Sequence, residues 1–170
     1  LVENKIFIER TANVGVLSEE DAIAWGATVP MLRGSGVDWD IRRDQPYLLY
    51  GDLDFDVIVG KGYRGSVGDC FDRNYVRMFE MVQSNRIVRQ CLDRIREGEV
   101  QNEEVGMSFA CPPGRSYVGI ENPRGELGHW LVSDGGKIAQ RCRVRAPSFV
   151  NLAVVEHMLP GCMLADAAAI

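Results

Sequence analysis

The sequence predicts an α+β fold, a helical core carrying a small antiparallel sheet. Two observations carry this. From about Asp69 to Arg96 apolar residues fall at helical spacing, the longest such stretch in the chain. Later, Leu127–Val132 and Arg141–Arg145 flank Ser133-Asp134-Gly135-Gly136, where Asp-Gly is a strong turn signal for a hairpin. With 170 residues the chain can bury one good core, so 1–170 is expected to be a single domain.

In chain order, a short helix is expected from about Ser18 to Trp25. Ser18 suits an N-cap, Glu19, Glu20 and Asp21 suit the positive end of the helix dipole, and Gly26 stands where a C-cap glycine would. Met31 to Gly36 reads as a glycine-containing loop, and Leu53 to Val59, with alternating Asp and apolar residues, as a strand. On the long helix Phe71, Tyr75, Met78 and Val82 line up first, and Ile87, Val88, Cys91, Leu92 and Ile95 then lie mainly on another side. Apolar residues on so much of the circumference predict several packing neighbours, as in the middle of a helical bundle. After Gly98 comes a polar stretch that ends at the breaker Cys111-Pro112-Pro113-Gly114. Ser116–Glu121 reads as a strand ahead of the hairpin, Pro147 ends the last strand, and Asn151–Met158 looks helical.

Composition narrows the function classes. Hydrophobic residues make up 46% and charged residues 25%, ordinary for a globular protein, and no apolar run approaches the roughly 20 residues of a membrane-spanning helix. The net charge of −5, with no basic block, argues against a nucleic-acid partner. Five scattered cysteines (Cys70, Cys91, Cys111, Cys142 and Cys162) contain no C-x-x-C pair, which fits free thiols and argues against a cluster or zinc held by this chain. His129 and His157 are the only histidines, and neither sits at a metal-ligand spacing. No Ser-His-Asp arrangement is present. Nothing at the start reads as a signal peptide. The chain lacks an initiator Met and stops within the apolar run Ala167–Ile170, so both ends are expected to be internal to a longer chain.

An ordered set of motifs runs through the chain. Arg10-Thr11 is followed by Val14-Gly15-Val16, then by Met31-Leu32-Arg33-Gly34-Ser35-Gly36. Trp39-Asp40-Ile41-Arg42-Arg43 follows, with Gln45-Pro46-Tyr47 and Asp54-Phe55-Asp56-Val57. Gly68-Asp69-Cys70-Phe71-Asp72-Arg73 leads into Val76-Arg77 and Glu80-Met81. Later come Pro123-Arg124-Gly125-Glu126-Leu127-Gly128, Leu131-Val132-Ser133-Asp134-Gly135, Arg143 to Phe149 and Met163-Leu164-Ala165-Asp166. Taken in order, this set resembles the quinone-site large subunit of proton-pumping NADH:quinone oxidoreductase, the 49-kDa-type (D-type) member of respiratory complex I.

The resemblance implies a partial chain of the NiFe-hydrogenase-like large-subunit fold, in which this chain binds no cofactor directly. FMN and the iron–sulfur clusters would sit in partner subunits, quinone would be the substrate, and NADH would be met only through the complex. The partners implied are the other complex I subunits, above all the terminal iron–sulfur cluster subunit and the 30-kDa-type subunit. The place implied is peripheral, on the cytoplasmic face of a bacterial inner membrane or the matrix side of the mitochondrial one. The family's quinone-contacting His and Tyr belong to an amino-terminal part outside this chain, and its linker is shortened here over 98–114. A membrane-bound NiFe hydrogenase large subunit shares much of the pattern, and a non-catalytic scaffold is a third alternative.

Twelve residues are the candidates for the quinone cavity, for coupling or for a subunit interface. Asp72 shares a helix face with Val76 and Phe79, an unusual place for a carboxylate. Burial there requires an arginine (Arg33, Arg42 or Arg143) or several N–H donors, and the residue either locks the helix to a loop or takes part in proton movement. Asp69 belongs to the same motif. Arg73 and Arg77, with Glu80 and Ser84, form a stripe that is either an exposed face or a contact with a neighbouring subunit. Arg33-Gly34-Ser35-Gly36 is either an anion cradle or a turn with an arginine anchor. Arg124 and Glu126 are expected to serve turn geometry and docking. Arg143 and Arg145, with Arg141, project from one strand face, solvated or set against an acidic partner.

Overall fold

A computed structural model describes residues 2–101 and 109–170, and the architecture is α+β. The middle of the expected linker, 102–108, lies outside the described residues. Helix α1 (Lys5–Thr11) starts where the Asn4 side chain accepts the Phe7 N–H at 3.0 Å. At seven residues it is too short for its period to stand out, and Phe7 is fixed by packing on Phe71, with ring centroids 5.9 Å apart. Helix α2 (Glu19–Ala24) has the expected cap, Ser18 Oγ accepting the Asp21 N–H at 3.1 Å.

Met31–Gly34 is a helical turn, α3, rather than the expected loop. Its backbone closes on Pro30 and Met31, and packing of Met31 into the core holds a turn that glycine content alone would disfavour. Helix α4 (Ile41–Asp44) is capped by Asp40. Leu53–Val59 forms no strand ladder, a correction to the alternation argument. Its backbone instead bonds to side chains of the long helix: Asp54 N–H donates to Gln90 Oε1 at 2.9 Å, and Asp56 N–H to Gln83 Oε1 at 3.1 Å. A polar helix face satisfies this extended segment as a neighbouring strand would.

The long helix, α5 (Cys70–Arg94), begins where Asp69 Oδ1 accepts the Asp72 N–H at 2.8 Å. Helices α1 and α3 pack against its first half. Strands β1 (Gly114–Asn122), β2 (Gly125–Ser133) and β3 (Arg141–Arg145) form an antiparallel sheet in that order. The expected hairpin is the β2–β3 pair, with Gly135 at φ +97° in the connection. Asn122 opposite Gly125 makes the β1–β2 turn tight, with Pro123 and Arg124 at its tip. Helix α6 (Pro147–Met158) starts earlier than expected, because Pro147 occupies the first turn, where its missing N–H costs nothing. Leu17, Ala22, Ala27, Met31, Val154 and Met158 join α2, α3 and α6 in one buried cluster. The tip of the first hairpin docks on that cluster's edge, where Asn151 accepts the Thr28 N–H and donates to the Arg124 carbonyl. This docking brings the end of β1 against α3, α4 and the middle of α5.

Candidate functional site

A buried charge cluster lies where these elements meet. Arg33, on α3, is closed to solvent, and its Nη1 lies 2.5 Å from Asp40 Oδ2. Its Nη2 hydrogen-bonds Glu121, at the end of β1, and lies 3.0 Å from Glu80 Oε1 on α5. Arg42, from α4, donates to both Asp40 oxygens, at 3.0 and 2.6 Å. Two guanidiniums thus face three carboxyl groups. Among the described residues, the buried side-chain atoms without a hydrogen-bond partner are Arg33 Nε, Ser35 Oγ and Glu80 Oε1, all in or beside this cluster. Ion-pair distance without an aligned N–H leaves Glu80 only partly satisfied.

The electrostatics follow from that imbalance. Burial works against ionised Asp40, but the Arg42 hydrogen bonds and the Arg33 and Arg42 charges outweigh it and hold Asp40 below the usual carboxylate value. Burial pushes Glu121 up to about 7, against the pull of Arg33, and Asp40 and Glu80 add repulsion. Glu80 is raised for the same first reason. Glu80 and Glu121 open onto a cleft of about 650 Å³, also lined by Arg42, Tyr50, Arg77 and Met81. Arg42 stacks over Phe55 at 4.9 Å to the ring centroid, which fixes it at the cleft edge. The arrangement can hold and release a proton near neutral pH beside a partly apolar cavity.

The sequence candidates divide. Arg33 is the cluster's centre, an arginine anchor. Gly34, Ser35 and Gly36 follow the turn alternative and not the anion cradle: their N–H groups donate to the carbonyls of Pro30, Met31 and Arg33. Of the two compensations expected for Asp72, N–H donors are the one found; no arginine pairs with it among the described residues. Its carboxylate accepts the N–H groups of Gly62 at 2.7 Å and Tyr63 at 3.1 Å. Burial raises its pKa against those bonds, and the residue latches the 60–63 loop onto α5. Asp69 is buried as the α5 N-cap and also accepts the Asn13 N–H at 2.8 Å.

Arg73 is neither exposed nor on an outer face, a further correction. It is buried, donating to the carbonyls of Gly15 at 2.8 Å and Gly68 at 2.6 Å, and burial lowers its pKa. Arg77 is exposed and lines the cleft. Arg124 caps the tight turn; Glu126 accepts a hydrogen bond from Tyr117 Oη at 3.1 Å and sits 3.9 Å from Arg145. Arg145 also donates to the Gly26 carbonyl at 3.1 Å, while Arg143 is exposed beside Tyr117, Trp130 and Phe149 in a groove of about 720 Å³. Asp40, Arg42, Glu80 and Glu121 were not among the twelve. Asp40 and Arg42 lie in a quoted motif, but nothing in the local pattern says that Glu121 returns to Arg33 across 88 positions.

Comparison with known proteins decides the family. Residues 1–110 and 103–170 match the model of the 49 Kd subunit of respiratory-chain NADH dehydrogenase. The chain belongs to this family. Its relatives include the NADH-quinone oxidoreductase D subunit of Methylacidiphilum infernorum, 44% identical over all of this chain and 45% of that protein. The corresponding D 2 subunit of Anaeromyxobacter dehalogenans is 46% identical over 98% of this chain and 44% of its own. The D subunit of Xanthobacter autotrophicus is 40% identical over the whole chain and 48% of its own. The chain thus spans slightly under half the length of these relatives. Among the described residues no helix is long and apolar enough to cross a membrane.

Proposed function

We propose that this chain is the central part of a peripheral-arm subunit of a proton-translocating NADH:quinone oxidoreductase, and that it helps form the quinone-reduction cavity beside the terminal iron–sulfur cluster subunit. The carrying observation is the cleft in which Glu80 and Glu121 meet Arg42, Arg77 and apolar wall residues. Quinone reduction consumes two protons per two electrons, so a cavity of mixed apolar lining with carboxyls raised toward neutrality suits it. Glu80 and Glu121 fit proton handling better than Asp72, whose oxygens are taken by backbone N–H groups. The chain itself would bind no flavin, cluster or nicotinamide; those belong to partner subunits, including the 30-kDa-type subunit. The assembly would sit on the cytoplasmic face of a bacterial inner membrane or the mitochondrial matrix side. In the whole subunit, further helices of the hydrogenase-like fold would cover the exposed apolar residues Met81, Val82, Val88, Leu92 and Ile95 of α5 and its C-cap.

The test is Glu80→Gln in the full-length subunit within the assembled complex. NADH oxidation is read once with quinone and once with an artificial acceptor that takes electrons at the flavin. The expected outcome is about a tenfold or larger loss with quinone and none with the artificial acceptor. Equal rates with both acceptors, unchanged from the parent, would overturn the proposal.

A further inference from the structure

Glu121 faces two cavities. Besides the 650 Å³ cleft on α5, it lines a second of about 390 Å³, with Val29, Leu32, Trp39, Glu126 and Arg145. Glu121 and Glu126 are direct cross-strand partners, so their side chains leave the same face of the hairpin. Like charges in that relation are destabilising unless something separates or neutralises them. Tyr117, two pleats back along β1 on the same face, donates its hydroxyl to Glu126 Oε1 at 3.1 Å and is half-exposed. Between Tyr117 and Glu121 stands Gly119, where an added Cβ would come within 3.0 Å of Glu126 Oε1. The missing side chain leaves room for the Glu126 carboxylate to lie along the strand.

We propose that Tyr117, Glu126 and Glu121 form a proton relay along one face of the first hairpin, with Glu121 facing both cavities and Tyr117 at the solvent end. A proton that Glu121 gives to the α5 cleft is replaced by one handed from the Tyr117 hydroxyl to Glu126 and on across the smaller cavity. Tyr117 takes one from solvent in its place and ends as it began. Burial and the charges of Arg33 from α3, Asp40 and Arg42 from α4 and its cap, and Glu80 from α5 set the level of Glu121. Arg77 from α5, Glu126 from β2 and Arg145 from β3 line the cavities it faces. Tyr47 adds a hydroxyl that accepts the Glu121 N–H at 3.0 Å. The relay rests on the quinone proposal only for the proton's destination.

The experiment uses the full-length subunit in its complex. Difference infrared spectra follow the C=O stretch of protonated carboxyls across about two pH units either side of neutral, and quinone turnover is measured in parallel. The parent is expected to lose one band with a midpoint near 7, absent in Glu121→Gln and shifted in Glu126→Gln. Glu126→Gln and Tyr117→Phe are expected to slow turnover roughly tenfold on the alkaline side, where protons are scarce, with KM for quinone unchanged and Glu126→Asp restoring the rate. A band that survives Glu121→Gln, or one whose midpoint ignores Glu126→Gln, overturns the relay. Since both replacements at the outer end are at partly exposed positions, this arm does not depend on the buried variant folding. Bands that respond as expected while turnover ignores all three variants uphold the relay and reject quinone as the destination.

Discussion

Arg33 Nη1 lies 2.5 Å from Asp40 Oδ2, and neither side chain is open to solvent. The same guanidinium reaches Glu80 on α5 and Glu121 on β1, so one side chain ties a short helical turn, its following loop, the long helix and the sheet. Burying such a group is costly, and removing one partner leaves the others without compensation.

Arg33→Met is therefore expected to destabilise the full-length subunit by about 3–5 kcal/mol, because three carboxyls lose their shared donor. Arg33→Lys keeps the charge but not the fork that spans three partners, and is expected to recover only part of the loss. Urea unfolding measures both. A loss below about 1 kcal/mol for Arg33→Met, the level of an exposed pair, would show that the cluster contributes little.

The raised Glu121 gives a pH dependence with a definite sign. Its carboxyl keeps its proton up to about 7 when folded, against 4.5 for an ordinary glutamate. Between those values the unfolded chain binds fewer protons than the folded one, so this residue's contribution falls as pH rises through the window. The total is on the order of 3 kcal/mol. Asp40, held low, contributes in the opposite sense and loses its contribution as pH falls below the ordinary carboxylate range. In Glu121→Gln the decline between the two pH values should flatten while the acid limb stays. Thermal unfolding at a series of pH values decides it, and an unchanged slope would mean that Glu121 is ionised throughout the window.

The sequence showed those elements whose signals are local. Ser18 capped its helix as its position implied, the long helix began beside Asp69 as its periodicity implied, and the β2–β3 hairpin formed around Asp134-Gly135. Leu53–Val59 misled because alternation reports which residues face a packed surface, not whether that surface is a strand or the glutamines of a helix. Arg73 misled for a related reason: a charged stripe at helical spacing reads as solvated, and only the fold brings the Gly15 and Gly68 carbonyls to meet it. Glu121 is the largest gap. Its partner Arg33 is remote in sequence, and a lone glutamate near the end of a strand carries no signal of burial.

The 53–59 segment gives a third prediction. Gln83 and Gln90 supply acceptors to the Asp56 and Asp54 N–H groups, and Gln90 Nε2 donates back to the Asp54 carbonyl at 2.6 Å. Arg86, between them, pairs with Asp54 and Asp56, but exposed pairs of this kind contribute little. Gln90→Leu should therefore raise amide exchange at Asp54 selectively, with about 1 kcal/mol lost in overall stability. Arg86→Ala should leave that exchange almost unchanged. The reverse ranking would place the hold on this segment in the ion pairs.

Two glycines bring α3 and the Gly68 turn close to their neighbours, and they predict different losses. At Gly34 an added Cβ would come within 2.7 Å of Arg73 Cγ and 3.3 Å of its Cα, so α3 and α5 could no longer approach as closely. The nearer atom is part of a flexible side chain, which can give, and Gly34→Ala is expected to cost about 1–3 kcal/mol. At Gly68 the obstacle is backbone: φ is +87°, and a Cβ would fall 2.0 Å from the Leu17 carbonyl oxygen, which no rotamer change can move aside. The Gly68 N–H also donates to the Gly34 carbonyl at 3.0 Å, and its own carbonyl accepts both the Leu17 N–H and Arg73. Gly68→Ala must therefore move backbone on both sides and disturb the Arg73 seat at once. It is expected to exceed the Gly34→Ala loss by at least about 1 kcal/mol, on unfolding of the full-length subunit. Equal losses at the two sites would mean that the Leu17 segment shifts freely, and that Arg73, rather than the turn at Gly68, sets the entry to α5.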